Sequence, residues 1–545
     1  HKSAWILEQG GYVFYAGADV RSASEAYSLT LPETVVRQCK SALGPLTAFK
    51  RMVNSGGKPE FEDVPLTGEA FPHDHAKLPA EIPQTGDRGI RLADVVNGKN
   101  TLEEFTAQLT DYDLSCIIRG EGMGSPKVTA GTAAAFGGVS DTLTALGIPC
   151  ACCDDGPSGM RLDCGTKAFS LPNGTLLAST FDRPLMTELF TFMGLEMHTN
   201  QVDCLLGPGM NIHRHPLNGR NFEYFSEDPY LTGEMASAEL AGLHSTGAEG
   251  TIKHFCGNNR ETRRHFLDSV ISERALREIY LRGFEKAVKK GGAKSVMTTY
   301  GQVNGVWTAG NYGLVTGILR DDWGFDGFTM TDWWANINRR GKAPDKSDFA
   351  AMAMAQNDVY MVTADGAACN DNTLDSLKSG ELTRGELQRN AMNILRFLTT
   401  THAMKRVMGC DDETEIINRP ADAGDVDSTD IEFHDIDEDL TLDLTGITTE
   451  KGSSYAFGLN VSKPGVYKVT LTASSTLSEL AQTSVSIFAL GSPCGMFTFN
   501  GTSGAPVSQT KDVKFLSNFM PIRLYFGGSG LKTQSIRFEL KERWT

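Results

Sequence analysis

The rhythm of apolar and polar positions changes twice along this chain. Between about 101 and 410, short apolar runs alternate with long amphipathic stretches. The strand candidates are Ile148–Cys153, Val202–Gly207, Gly250–His254, Ser295–Tyr300, Gly327–Asp332 and Asp358–Val362. Over 272–290 the spacing predicts a helix: Ser272 suits an N-cap, and Leu276, Ile279, Tyr280, Ala287 and Val288 repeat at helical intervals. Six or more β–α units in about 300 residues predict an α/β fold, a (β/α)8-type barrel. A doubly wound sheet would collect its ligand groups at one switch point. Here polar clusters follow nearly every strand, as a barrel mouth requires.

From about 440 to 545 the period becomes two. Tyr467, Val469 and Leu471 alternate with Lys468, Thr470 and Thr472, and runs around Ile522–Phe526 and Ile536–Leu540 repeat the pattern. This predicts an antiparallel β-sandwich. Residues 1–45 also read as β, with Tyr12–Tyr15 and Tyr27–Leu31 as strands too few to close a sandwich alone. Residues 46–100, rich in Pro, Gly and charge, read as a linker wrapping the barrel. Residues 411–439 read as a solvated acidic linker (Asp411, Asp412, Glu413, Asp435, Asp437, Glu438, Asp439), without the ligand spacing of a calcium loop.

Composition narrows the function. The formal charge of -16 disfavours nucleic acid, whereas neutral sugars feel no net field. Nothing approaches the length of a membrane span. Cys116, Cys150, Cys152, Cys153, Cys164, Cys204 and Cys256 lack disulfide-scaffold spacing, so reduced thiols and a cytoplasmic setting are expected. Asn173, Asn460 and Asn500 open acceptor sequences expected by chance at this length. No signal peptide is visible. The chain opens at His1, so the true N-terminus is expected upstream. No metal or cofactor is expected.

The apolar strand Gly327–Thr331 ends in Asp332, followed by Trp333 and Trp334. A carboxylate at a barrel strand's C-terminal end faces the mouth, and an adjacent Trp offers a flat face to a sugar ring. The alternative is a helix cap. Lys253 and His254 end another strand and suit charge-assisted hydrogen bonds to neighbouring hydroxyls. Ordinary strand-end polarity and a Schiff-base lysine are the competing readings. Asp155, exposed by the turn Gly156-Pro157, would accept from two hydroxyls. Arg220, between Gly219 and Asn221, is the loop's natural donor. Glu223, Glu227 and Asp228 read as residues that pin the loop or cap the next helix. Tyr300 ends a strand with its phenol towards Asp332.

These segments resemble glycoside hydrolase family 3 over roughly 101–410. The motifs in order are Asp155-Gly-Pro-x-Gly-x-Arg161, Gly207-Pro-x-x-Asn-Ile-x-Arg-x-Pro216, Gly219-Arg-Asn-Phe-Glu-Tyr-Phe-Ser-Glu-Asp-Pro229, Lys253-His-Phe255, Ser272-Glu-Arg-Ala-Leu-Arg-Glu-Ile-Tyr280 and Met330-Thr-Asp-Trp333. The resemblance implies an exo-acting, retaining β-glucosidase with Asp332 as nucleophile. It implies that Asp155, Arg220, Lys253, His254, Tyr300 and Trp333 line the glycone subsite, with Arg264 buttressing it. Lys253 and its neighbours are expected to keep Asp332 ionised.

The order of segments is similar to the family's circularly permuted branch, with 1–45 resembling the end of a fibronectin type III-like domain. In that branch the acid/base glutamate is carried by an α/β/α sandwich that these 545 residues do not show. A missing segment or second chain is therefore expected to supply the acid/base. The expected substrate is a β-glucoside or oligosaccharide, and a homo-oligomer is compatible with the sequence. The alternatives are a β-xylosidase or arabinosidase, a sugar-binding chain with an incomplete site, and, more distantly, an aldolase using Lys253. The β-sandwich suits carbohydrate binding, shaping of the aglycone side or a subunit contact.

Overall fold

The computed structural model describes the chain except residues 1–2, 40, 46, 65, 67–76, 164–167, 339–342, 413–430 and 545. Cys164, Glu413 and most of the acidic linker therefore lie outside the described residues. Among the described residues, no helix is long and apolar enough to cross a membrane.

Eight strands form the central sheet. In chain order they are Arg119–Glu121, Ala134–Gly137, Cys150–Asp155, Cys204–Leu206, Glu249–Phe255, Ser295–Thr298, Phe328–Met330 and Tyr360–Thr363. Each pairs with its sequence neighbour, the last strand also pairs with the first, and a parallel bridge Met330–Val359 closes the ring. The second strand is antiparallel to both neighbours; the other pairings are parallel. Its reversal follows from its connection: the loop 122–133 leads in from the first strand with no crossover helix to restore direction.

All six strands expected from the sequence are present, several of them shorter. The first two were not expected. Both are buried, but the first carries Arg119 and Glu121, which pair with Asp371 and Lys127. An Arg-Gly-Glu strand has no apolar run to announce it, and its charges are buried only because partners neutralise them.

The helices begin as the sequence dictates. Asp182, Asp228 and Ser272 cap theirs, the first two ahead of Pro184 and Pro229 in the opening turn. Thr383 and Glu386 close a capping box on Arg384–Leu398. The helix expected over 272–290 is interrupted by a π-turn at Leu276–Tyr280. That extra residue shifts the buried face, so Leu276, Leu281 and Phe284 point inward while Ile279 is exposed.

Residues 431–544 form two sheets of five and four strands over one apolar core. All pairings are antiparallel except the edge strand Phe433–Ile436, which runs parallel to Ser454–Val461. Met123, in the loop after the first barrel strand, packs against both this core and the barrel's.

The N-terminal strands form separate two-stranded sheets. One further hairpin, Lys50–Ser55 with Lys58–Asp63, lies in the stretch read as linker. The segment is anchored on the barrel by Arg37–Glu285 and by Glu273, which accepts from Ser41 and from the Ala42 amide. Within 46–100, Ile82 exchanges two hydrogen bonds with Gln388 of the barrel helix Arg384–Leu398.

Candidate active site

The C-terminal ends of the third, fifth, sixth and seventh barrel strands bring Asp155, Lys253, His254, Tyr300 and Asp332 to one mouth. Lys253 Nζ donates to Asp155 Oδ1 at 3.0 Å, and Arg161 stands 3.4 Å from Oδ2. Burial pulls the Asp155 carboxyl upward, but Lys253 and Arg161 outweigh it and leave it at about 2. Asp155 is therefore a fixed anion that orients Lys253.

His254 is buried and held at several points. Its backbone N–H donates to Asn211 Oδ1 at 2.9 Å, and its carbonyl accepts from the Asn211 amide at 2.9 Å. Its Nδ1 lies 3.2 Å from the Tyr224 hydroxyl, which itself accepts from Asn258 at 2.9 Å. Burial, then Arg220, Lys253 and Arg264, hold the imidazole well below its usual range, so it is neutral. Nδ1 also lies 3.3 Å from Asn211 Oδ1, so both its neighbours are at that side of the ring and Nε2 is the nitrogen left outside them. That nitrogen faces Asp332 Oδ2 at 3.9 Å.

Asp332 lies two residues past the end of the seventh strand. Its Oδ1 accepts from the Trp333 amide at 2.9 Å, while Oδ2 is buried with no hydrogen-bond partner among the described residues. Burial raises the carboxyl to about 6, although Arg220, the Trp333 amide, Lys253 and Arg264 all pull it down. The nearby cations thus limit the shift that desolvation imposes, in line with the expectation that they keep Asp332 ionised. At pH 7 the group is ionised, though barely by one pH unit.

Arg220 donates to Glu223 and is held charged there by Tyr224, Glu223 and Asp332 against its burial. Tyr300 is buried beside Asp332, and burial and that carboxylate push its phenol upward. Arg264 lies 4.7 Å from the Tyr300 ring centroid and bonds Glu261 at 3.2 Å, so it braces the phenol rather than facing the mouth. Trp333 is buried, its indole N–H donating to the Ala133 carbonyl at 3.3 Å; Trp334 is the more exposed of the pair. Asp228 caps the following helix at the Tyr230 amide and Glu223 pins Arg220, as the sequence led one to expect.

Sequence reasoning gave no roles to Asn211, Tyr224, Asn258 and Glu261, although it quoted the segments that hold them. Their work is to orient His254 and Arg264, and only the folded loop reveals it. Asp154, buried with its carboxyl raised well above the usual range by burial, accepts from the Arg161 amide behind Asp155.

The site has an oriented cation, a neutral imidazole, a charged guanidinium and a phenol around one carboxylate oxygen. Such a set binds a polyhydroxylated ligand and offers a nucleophile.

Residues 87–397 match the model of the glycosyl hydrolase family 3 N terminal domain. A β-glucosidase of Ruminococcus albus is 59% identical over 557 aligned residues, covering 99% of this chain and 59% of that protein. β-Glucosidase A of Butyrivibrio fibrisolvens is 34% identical, covering 74% of this chain and 49% of the relative. Among solved structures, a β-glucosidase from Paenibacillus barengoltzii superposes with a TM-score of 0.72 at 42% identity, over 99% of this chain and 59% of that one. The chain spans about half to three-fifths of the length of these relatives.

Proposed function

This chain belongs to glycosyl hydrolase family 3, and from that premise we propose that it carries the glycone half of a retaining β-glucosidase. The substrate is a β-glucoside or oligosaccharide with a terminal non-reducing glucose. Asp155, Lys253, His254 and Arg220 hold its hydroxyls, and Tyr300, braced by Arg264, stands beside the nucleophile. Asp332 Oδ2 attacks the anomeric carbon, the bond from that carbon to the aglycone oxygen breaks, and a glycosyl-enzyme forms. Water then attacks the same carbon, releases Asp332 and yields the sugar with retained configuration.

The observation that carries this reading is the Asp332 carboxylate: one oxygen fixed by the Trp333 amide, the other buried and facing His254 with the Tyr300 phenol beside it. Departure of the aglycone requires a proton. Within this network Asp155, Glu223 and Glu261 are committed to Lys253, Arg220 and Arg264. None of these three is free to act as the acid/base, and the chain spans 59% of the Ruminococcus and Paenibacillus enzymes, so the proposal takes the acid/base from the remainder of such a longer protein or from a second chain.

A 2-fluoro-glucoside with a good leaving group should label Asp332, as read by peptide mass spectrometry. Label on another residue, or none, would sink the assignment. The purified chain should turn over dinitrophenyl glucoside, whose leaving group needs no proton, far faster than cellobiose. Comparable rates on both would refute the external acid/base. The corresponding xyloside, turned over better than the glucoside, would redirect the glycone to a pentose.

A further inference from the structure

A second cluster of ligating groups lies at the opposite end of the barrel. His198 sits in the last turn of helix Arg183–Thr199, and His402 opens helix His402–Met408. Asp411 follows the left-handed cap Gly409 of that second helix. All three are largely buried, with side-chain exposures of 9%, 5% and 15%. Their neighbours Asp203 and Thr246 precede the fourth and fifth barrel strands, which places the cluster under the barrel floor, away from Asp332.

The hydrogen bonds around His402 fix its chemistry. Nε2 lies 2.7 Å from the Thr246 carbonyl, which only accepts, so Nε2 carries a proton. Nδ1 then faces Asp411 Oδ1 at 2.6 Å, and His198 Nε2 approaches the same oxygen at 3.3 Å. The two imidazoles stack with centroids 3.8 Å apart, and the three donor atoms lie within 4.8 Å of one another. The other oxygen, Asp411 Oδ2, lies 3.6 Å from Arg406, which also faces the buried Asp203. Asp203 in turn accepts from the Ala403 and Cys152 amides.

Two imidazole nitrogens converge on one carboxylate oxygen, so each must bring it a proton or share an ion with it. Protons do this if His402 is a cation, protonated on both nitrogens, and His198 is the neutral Nε2–H tautomer, at the cost of a buried imidazolium. A divalent ion satisfies all three donors at once. Its imidazole donors favour zinc or a similar transition metal over calcium or magnesium. The Thr246 carbonyl supplies the outer bond that metal-bound histidines normally make through their other nitrogen.

We propose that His198 Nε2, His402 Nδ1 and Asp411 form a structural site for a zinc-like divalent ion, completed by water. Donors about 2.1 Å from a tetrahedral ion are about 3.4 Å apart. The His198–Asp411 spacing of 3.3 Å fits already. The His402–Asp411 spacing opens by about 0.8 Å as the ion replaces the Nδ1 proton. The ion then ties two barrel helices to the chain leaving the barrel.

The test uses the whole chain, stripped with a chelator and titrated with Zn2+ against a chromogenic competitor and, separately, with Co2+. The expected result is one ion per chain, a tetrahedral Co2+ spectrum and a Zn2+-dependent rise in melting temperature. His198→Ala and Asp411→Asn should each weaken Zn2+ binding by at least about 100-fold and abolish that rise. His244→Ala, which removes a histidine paired elsewhere with Glu249, should leave both unchanged. His198→Ala keeps the His402–Thr246 bond, so it remains informative if Asp411→Asn folds poorly. Equal Zn2+ affinity in the parent and His198→Ala, or no binding by the parent, would overturn the site.

Discussion

Replacing Asp332 with Asn should stabilise the fold while removing the chemistry. The carboxyl sits at about 6, against an ordinary 3.8, because burial costs the charged form more than Arg220, the Trp333 amide and Lys253 return. A group whose folded pKa is raised favours the fold when protonated, below 3.8, and loses that contribution as pH rises through 6. The gap is about two pH units, so the ionised carboxylate costs the fold about 3 kcal/mol at pH near 8, about 1.5 at pH 5 and about 0.5 at pH 4. Asparagine keeps the acceptor for the Trp333 amide and carries no charge. Asp332→Asn should therefore melt roughly 5 °C above the parent near pH 8, and the difference should shrink towards zero at pH 4. Thermal or urea unfolding of both proteins across that range checks it, and the subtraction isolates Asp332 from other buried carboxyls such as Asp154. A variant that is less stable at pH 8, or a difference independent of pH, would refute the desolvation argument. Glucosidase activity should fall by several decades in the same variant, since no other group in the site can form the covalent bond.

Other consequences are as direct. On an activated aryl glucoside, kcat/KM should fall tenfold per pH unit below an apparent pKa of about 6, because only ionised Asp332 attacks; a limb near 4 would contradict it. Arg264→Met should raise the apparent KM or lower kcat about tenfold by freeing Tyr300, while far-ultraviolet circular dichroism stays unchanged. Arg320→Ala should cost about 3–5 kcal/mol in urea unfolding. It strands fully buried Asp358, whose Oδ2 bonds Arg320 at 2.6 Å and the Thr329 amide at 2.9 Å where the barrel closes.

The legible parts of this protein were those governed by local rules. Runs such as Phe328–Met330, apolar because both faces are covered, announce parallel strands, and Ser272 and Asp228 announce helix starts. Asp332, Asp155, Lys253 and His254 stood out because each ends such a run. What escaped depends on contacts between distant residues. Arg119 and Glu121 look like loop residues until Asp371 and Lys127 neutralise them inside the barrel. Tyr224 and Asn211 look like loop polarity until they bracket His254. The protonation of Asp332 depends on how much water the fold removes, a quantity that no pattern of neighbouring charges reveals.

The reversed second strand has a mechanical side. Because no helix follows Glu121, the rim there is the loop 122–133, and the β-sandwich packs directly on it. A Cβ on Gly124 would fall 2.3 Å from Pro521, and one on Gly491 would fall 2.0 Å from Asp163, whose Arg161 partner also reaches Asp155. Tilting or trimming the sandwich would therefore tug on the sugar-facing carboxylate through a two-link strut, so the appended module and the pocket deform together.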